Sequence, residues 1–313
     1  MPRHSRGPEG PLLSRRRLLW LGGGLGALVA ATTTGLELVA HGVLPGRQYL
    51  DQIDGACSVA APTLDVAPVG PSESGHFYSR ARGRRVGYTL AYPPGHAPGD
   101  ELPLVVMLHG YGDDHTNALV GLTPAQALAL RVGGRALAPM ALVTVDGGNG
   151  YWNPHPGDDP LAMVVDELIP WCRARGLGAT RRVGLMGISM GAYGALTIAE
   201  RHPDLAAAVA AISPAVWTSY AQARAANAGA FASAYAFAAG DVLTHVGALS
   251  HTALRVAVGL DDPFYPGVEE LMRVVPAGTV LVREAGCHSD PFFLAQEPPS
   301  LAFLAAHLAG AGV

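Results

Sequence analysis

The segment Gly187-Ile188-Ser189-Met190-Gly191 constrains the fold of this chain more than any other part of the sequence. It follows an apolar run with strand character, 183–186, and precedes a helical pattern that begins at Ala192. A serine between two glycines at a strand-to-helix turn forms a nucleophile elbow, which is too tight for side chains on its flanks. The pattern predicts that Ser189 is the nucleophile of a serine hydrolase, although a chain with 40 glycines can also produce it by chance.

Strand-like and helix-like segments alternate over most of the chain. The continuous apolar runs at 102–108 and Ala141–Val145 are typical of strands that are buried on both faces of a sheet. The alternation predicts an α/β fold, with a mostly parallel central sheet and helices on both faces. We expect a signal or membrane anchor over 1–43, a linker or arm over 44–75 and one catalytic domain over 76–313.

The N-terminal region has the features of an export signal. Three arginines, Arg15 to Arg17, precede a stretch without charged residues that extends to Glu37. This arrangement is typical of a twin-arginine signal, so we expect an exported protein, either secreted or associated with the cell envelope. The apolar stretch 18–36 is close to the ~20 residues that a membrane span requires. Cleavage of the signal and its retention as a membrane anchor both remain open.

The net charge and the cysteines bear on nucleic-acid binding and on disulfide formation. The net charge of −4 gives no reason to expect binding to nucleic acid. The cysteines are Cys57, Cys172 and Cys287, and an exported protein can form one disulfide from them. The sequence does not indicate which two of them pair.

Partners for the serine follow the last two predicted strands. The adjacent acids Asp261 and Asp262 come after the strand 254–258, and His288 comes after the strand Val280–Glu284. The order serine, acid, histidine is that of an α/β-hydrolase triad, in which the acid orients the base that activates the serine. We therefore predict a triad of Ser189, His288 and one of these two acids.

Two backbone N–H groups are predicted to stabilise the oxyanion that forms when the serine attacks. One is that of Met190, directly after the nucleophile, and the other that of Tyr111, in the loop after the strand 102–108. The same loop carries the polar residues His109, Asp113, Asp114 and His115, which could instead bind a metal. Their spacing is not that of a His-x-His-x-Asp-His site and no second cluster of ligands follows, so we predict neither a metal nor an organic cofactor.

The chain resembles the group of α/β-hydrolases known as "Putative esterase", which includes esterase D, feruloyl esterases and the mycolyltransferase antigens of mycobacteria. The similarity runs from about His76 to the C-terminus. It is carried by the following motifs: His109-Gly110-Tyr111-Gly112, Gly187 to Ala195, Ser213-Pro214, and Gly259-Leu260-Asp261-Asp262-Pro263-Phe264. The resemblance implies the α/β-hydrolase fold, Asp262 as the triad acid and His288 as the base. The mycolyltransferases have a glutamate where Asp262 stands.

The resemblance also indicates where a substrate binds. The segment 146–152 follows a predicted strand and lies at the rim of the sheet where ligands bind in such folds. Family members carry a similar tryptophan-containing loop near the acyl pocket. The candidate contacts are therefore His109, Gly110, Tyr151, Trp152 and Trp217. We expect an exported serine esterase that acts on a small-molecule or cell-envelope ester. The alternatives are an acyltransferase that acts on cell-envelope sugars and a binding protein that has lost activity.

Overall fold

The computed structural model describes residues 57, 59–178 and 182–310. The chain divides into two compact units, Met1–Asp54 and Gly55–Val313, and all described residues belong to the second. The predicted export signal and the first part of the predicted arm lie outside the described residues. No helix within the described ranges is long and apolar enough to cross a membrane.

A sheet of eight strands forms the centre of the described unit, in the order β1-β2-β6-β3-β7-β8-β9-β10. Strands β1, β2 and β6 pair in antiparallel fashion, and the pairs from β6 to β10 are parallel. This arrangement confirms the predicted α/β-hydrolase fold. The strands are β1 (Ser72–Ser79), β2 (Arg84–Ala91), β3 (Leu104–Leu108), β6 (Ala141–Val145), β7 (Val183–Ile188), β8 (Ala206–Ile212), β9 (Ala253–Gly259) and β10 (Val280–Glu284), with β4 (Arg131–Val132) and β5 (Arg135–Ala136) forming a separate hairpin.

The helices connect these strands. Helix α2 is irregular: it begins as Pro160–Ala162, continues as a π-helical segment at Met163–Leu168 and ends as Ile169–Arg173. The others are α1 (Pro124–Leu128), α3 (Met190–Arg201), α4 (Tyr220–Ala226), α5 (Ala234–Gly240), α6 (Val242–His245), which runs into a 3₁₀ turn at Val246–His251, α7 (Tyr265–Val274) and α8 (Asp290–Gly310).

The two faces of the sheet bury two hydrophobic cores. Strands β3, β6 and β7 are buried at every position, because helices cover both of their faces. Leu196 of α3 and Met163 of α2 belong to one core, and Leu301 and Leu304 of α8 belong to the other. Full burial of one such side chain contributes about 1.5–3 kcal/mol, so these layers hold the sheet, and the loops at its edge, in place.

The chain before the sheet lies against the domain. The N–H of Arg131 donates to the carbonyl of Asp65, and that of Tyr92 donates to the carbonyl of Pro71. The first strand begins at Ser72, which pairs with Ala91 of β2. The boundary predicted between the arm and the domain, at 75/76, was therefore wrong and falls inside β1.

Candidate active site

Ser189 occupies the turn between β7 and α3 in a backbone conformation that is unusual for a residue with a side chain. Its φ is 54° and its ψ is −116°. Such a conformation costs on the order of 1–3 kcal/mol and persists only where the surroundings impose it. Here the N–H of Ser189 donates to the carbonyl of Ile212, and the N–H of Ala215 donates to the carbonyl of Ser189. The strained turn is thus held by the end of the neighbouring strand, β8.

The glycines on either side of the serine are required by the closeness of the surrounding backbone. A Cβ on Gly187 would lie 2.2 Å from the carbonyl carbon of Gly191. A Cβ on Gly191 would lie 1.9 Å from the carbonyl oxygen of Leu108, at the end of β3. Both distances are far below van der Waals contact, so any larger residue would force the elbow away from β3. The motif predicted from the sequence therefore has a steric cause in this fold.

Three side chains from different strand ends form one hydrogen-bonded chain. The Nε2 atom of His288 lies 2.7 Å from Oγ of Ser189, and its Nδ1 atom lies 2.9 Å from Oδ2 of Asp262. Asp262 is buried, and its Oδ1 accepts a further hydrogen bond from the N–H of Phe264. Because a carboxylate can only accept, the proton of the neutral imidazole belongs on Nδ1, which leaves Nε2 free to take the serine proton.

The structure distinguishes between the two adjacent acids that follow β9. Asp262 points its carboxylate at His288, whereas the N–H of Asp261 donates to the carbonyl of Gly286. The hydrogen-bonded partner of the histidine is therefore the acid that the family resemblance implied. The spatial order follows the sheet, with Ser189 at the end of β7 and the other two residues beyond β9 and β10.

Aromatic rings surround the histidine. The ring centroids of Phe264 and Phe293 each lie 5.0 Å from that of His288, and Trp217 packs edge-on against Phe264 at 4.7 Å. Neither phenylalanine was among the residues predicted to form the site. Phe264 belongs to the motif that carries the resemblance, but Phe293 lies on α8, and only the folding of α8 against β7 and β8 brings it here.

A disulfide joins the arm to the loop that carries the histidine. Cys57 and Cys287 are bonded across a sequence separation of 230 residues, and Cys172 is free and buried. Cys287 directly precedes His288, and its carbonyl accepts the N–H of Ser289. The disulfide therefore fixes the backbone next to the histidine, and it settles the pairing that the sequence left open.

The loop after β3, 109–115, lies against the elbow. A Cβ on Gly191 would also meet the carbonyl oxygen of His109, at 2.7 Å, so the two segments approach at backbone distance. Neither the N–H of Tyr111 nor that of Met190 donates to another residue within the part of the chain that the structure describes. Both amides are therefore available for the oxyanion role predicted from the sequence.

The loop that follows β6, 146–152, holds the 109–115 loop in place. The N–H of Gly147 donates to Nε2 of His109 at 2.9 Å, and the N–H of Gly112 donates to Oδ1 of Asn149 at 2.8 Å. The indole N–H of Trp152 donates to the carbonyl of His109. Three hydrogen bonds thus connect a segment that was predicted to contact substrate to the segment predicted to supply an oxyanion donor.

Two of the predicted substrate contacts were wrong, because the side chains concerned are buried. The side chains of His109 and Trp152 are both 0 % exposed, so neither can touch a substrate in this structure. The indole of Trp152 fills space that exists only because Gly147 and Gly194 lack side chains, since a Cβ on either would lie less than 3 Å from it. Its role is to pack the loop onto α3, not to contact substrate.

The remaining predicted contacts lie nearer to the surface of the site. Trp217 is partly exposed and packs between Phe264 and Tyr151. Tyr151 is largely buried, and burial raises its pKa to about 12, so the phenol stays neutral over the physiological range. Gly110 is buried and presents only its backbone. For these three residues, contact with substrate stays a prediction.

The polar residues considered as a metal site do not converge. His115 forms a hydrogen bond with Thr89, Asp114 accepts from Thr116, and Asp113 accepts from Asn117. Among the described residues, no group of three or more histidine, cysteine or acidic side chains is arranged to hold a metal ion.

Comparison with known proteins agrees with this geometry. The family model described as "Putative esterase" matches residues 79–266, a range that includes Ser189 and Asp262 and ends before His288. No curated protein matches the chain.

Solved structures share the fold at low sequence identity. A ferulic acid esterase is 18% identical with a TM-score of 0.63 and covers 76% of this chain and 99% of its own. An S-formylglutathione hydrolase from Agrobacterium tumefaciens is 18% identical with a TM-score of 0.61, covering 80% of this chain and 100% of its own. A ferulic acid esterase from Anaeromyces mucronatus, in complex with ferulic acid, is 17% identical with a TM-score of 0.58, covering 80% and 98%.

Proposed function

Because the chain belongs to the "Putative esterase" family and is a carboxylic ester hydrolase, we propose that it is an exported serine esterase that works through an acyl-enzyme on Ser189. The observation that carries the proposal is the hydrogen-bonded chain from Ser189 through His288 to Asp262. A serine hydroxyl is a poor nucleophile at neutral pH, so it needs a base within hydrogen-bond reach and a third group that orients the base. This chain of side chains supplies both.

In the first half of the reaction, Oγ of Ser189 attacks the ester carbonyl carbon while Nε2 of His288 takes the hydroxyl proton. The carbonyl oxygen becomes an oxyanion and accepts hydrogen bonds from the N–H groups of Met190 and Tyr111. Met190 is the first residue of α3, so the positive end of the helix dipole also faces this charge. The intermediate collapses when the imidazolium returns the proton to the leaving alcohol, and the acyl group remains bonded to Ser189.

In the second half, water replaces the alcohol. His288 takes a proton from the water as its oxygen attacks the acyl carbon, and the same two N–H groups stabilise the second oxyanion. Collapse then breaks the bond to Oγ, returns the proton to Ser189 and releases the carboxylic acid. Asp262 stays ionised throughout, where it orients the imidazole and stabilises its positive charge.

We further propose that the substrate carries a flat apolar group close to the scissile ester. The rings of Phe264 and Phe293 pack against the proposed base, and Trp217 packs against Phe264. An aromatic group of the substrate that joins them would gain about 0.5–1.5 kcal/mol per ring pair beyond the burial of its area. Two of the solved relatives are ferulic acid esterases, one of them in complex with ferulic acid. An ester of an aromatic acid is the substrate class that these observations favour.

Export is proposed on two grounds. The arginines before the uncharged N-terminal stretch are typical of a twin-arginine signal. The disulfide between Cys57 and Cys287 supports the same conclusion, since disulfides persist in oxidising compartments and are rare in the cytosol. Fractionation of cells that make the full chain tests this proposal, and a protein that stays entirely in the cytosol would contradict it.

The test of the reaction uses purified protein and p-nitrophenyl butyrate. Ser189→Ala and His288→Ala should each lower kcat by roughly 10⁴–10⁶-fold, because members of a triad act as a unit. Ser189→Ala should also abolish labelling by a fluorophosphonate probe. Activity of Ser189→Ala equal to that of the wild type would refute the mechanism.

The substrate proposal is tested by comparing methyl ferulate with p-nitrophenyl acetate and p-nitrophenyl decanoate. We expect the highest kcat/KM for the aromatic acid ester. A preference for decanoate, together with transfer of the acyl group to added trehalose instead of water, would favour acyl transfer to sugars.

A further inference from the structure

His109 lies in the middle of the site without touching the space where a substrate would sit. Its ring is wholly buried and packs against the indole of Trp152, with centroids 5.1 Å apart. Its Nδ1 atom lies 2.7 Å from the carbonyl oxygen of Gly110, and its Nε2 atom accepts the N–H of Gly147. Both ring nitrogens are therefore occupied by backbone groups of the two loops that border the site.

These two contacts permit only one form of the imidazole. The carbonyl of Gly110 can only accept, so Nδ1 must carry a proton, and the N–H of Gly147 can only donate, so Nε2 must not. In a doubly protonated ring, the N–H at Nε2 would face the N–H of Gly147, and neither group could accept a hydrogen bond from the other. Burial, the largest effect, lowers the pKa of His109 and acts in the same direction. His109 is thus a neutral Nδ1–H imidazole with a fixed orientation.

The carbonyl that His109 holds belongs to the same peptide group as the N–H of Tyr111. A peptide group is planar and trans, so its C=O and N–H point in opposite directions, and fixing one fixes the other. Gly110 and Gly112 on either side place few conformational limits on this peptide, because glycine adopts most backbone angles. Gly112 has a φ of 86°, a value that other residues rarely adopt. The orientation of the Tyr111 N–H must therefore come from contacts outside the peptide. The Gly110 carbonyl accepts from His109 at 2.7 Å and, over a longer distance of 3.4 Å, from the N–H of Asp113, so the bond to His109 is the closer of the two.

We propose that His109 is a positioning residue that orients the Gly110–Tyr111 peptide so that the N–H of Tyr111 points at the oxyanion. The inference rests on the proposed function, since it takes Ser189 as the nucleophile. The hydrogen bond from the N–H of Gly112 to Asn149 holds the next peptide, between Tyr111 and Gly112. The loop 146–152 thus acts on the reaction through the backbone of the 109–115 loop.

Two substitutions at His109 separate its two hydrogen bonds. In His109→Asn the side-chain amide lies where Nδ1 was and can still donate to the carbonyl of Gly110, while Gly147 loses its acceptor. In His109→Gln the terminal oxygen reaches the former position of Nε2 and can accept from Gly147, while the donor to Gly110 is lost. His115→Gln is the matched control, because His115 lies in the same loop and bonds Thr89.

The proposal predicts that kcat follows the bond to Gly110 and that the melting temperature follows the bond to Gly147. His109→Gln should lower kcat by about 10–10³-fold, up to the full loss of one oxyanion donor, with KM changed less than about threefold. The affinity for a trifluoromethyl ketone, which forms an oxyanion on Ser189, should fall by the same factor as kcat/KM. His109→Asn should recover most of this loss although it melts at a lower temperature, and His115→Gln should keep the kcat and KM of the wild type.

The role of His109 and the proposed function would be contradicted by different results. If Ser189→Ala abolishes labelling and activity but His109→Gln keeps wild-type kcat and ketone affinity, His109 does not position the oxyanion donor. The same holds if both His109 variants lose activity in proportion to their loss of melting temperature, which would indicate a purely structural role. If Ser189→Ala stays active, the proposed function itself fails.

Discussion

The disulfide between Cys57 and Cys287 gives a prediction whose size follows from the sequence separation. We consider the double substitution Cys57→Ser/Cys287→Ser, which removes the bond and leaves no reactive thiol in its place. For a loop of 230 residues, the loop-closure entropy is about 18 cal/mol/K, which is about 5 kcal/mol at 25 °C. Measured effects are often smaller than this value, so we expect a loss of about 2–5 kcal/mol in the free energy of unfolding.

Activity should also fall, because the bond is adjacent to the proposed base. Cys287 precedes His288, and Val59 of the arm packs against Gly286, where a Cβ would lie 3.1 Å from it. Without the disulfide, the arm can leave this loop and the Nε2 atom of His288 spends less time within reach of Ser189. We expect kcat to fall severalfold at a temperature where circular dichroism still reports a folded protein.

The assay is guanidinium unfolding followed by circular dichroism, together with kcat on p-nitrophenyl butyrate. A loss of 2–5 kcal/mol corresponds to a decrease of roughly 5–20 °C in melting temperature for a domain of this size. Wild type treated with a reductant should match the double variant, and Cys172→Ala should respond to the reductant as the wild type does. A double variant that unfolds within 1 kcal/mol of the wild type, with unchanged kcat, would refute the reasoning.

Two further predictions concern residues that are not members of the hydrogen-bonded triad. Burial raises the pKa of Glu297 from 4.5 to about 8, so the stability that its protonated carboxyl contributes is full below pH 4.5 and is lost as the pH rises towards 8. Glu297→Gln keeps an acceptor for the N–H of Val120 and should stabilise the protein at pH 8 but not at pH 4, as measured by urea unfolding. Gly191→Ala should abolish activity and soluble expression, because its Cβ has no room beside Leu108, whereas Gly247→Ala, with nothing within 4 Å, should keep both. Equal stability curves for Glu297→Gln and the wild type, or an active Gly191→Ala, would contradict these two arguments.

The parts of the fold with a local cause could be predicted from the sequence. Strands Ala141–Val145 and Val280–Glu284 have the predicted bounds, since the first is a run of apolar and β-branched residues and the second begins with one, Val280-Leu281-Val282. The elbow was predictable because its glycines are required by the turn itself. The helix Tyr265–Val274 was missed, although Val268, Leu271 and Met272 mark its buried face at helical spacing.

The errors have tertiary causes. Trp152 follows a strand on a glycine-rich loop, and nothing in the sequence shows that two distant glycines leave a space for its indole. The last helix runs from Asp290 through Pro298 and Pro299, and because such prolines ordinarily interrupt a helix, the sequence does not reveal its full length. The pairing of Cys57 with Cys287 depends on where the arm lies, and no local pattern encodes that.

The position of β10 at the edge of the sheet has a consequence for how the proposed site fails. Ser189 follows a strand in the middle of the sheet, whereas His288 follows an outer strand with exposed Val280 and Leu281. Edge strands open by local fluctuations that require far less free energy than global unfolding, and their amide protons exchange with solvent accordingly. We therefore expect local stability to decrease from β7 to β10, so that the alignment of the site is lost first on the side of the proposed base while the strand before the proposed nucleophile remains intact.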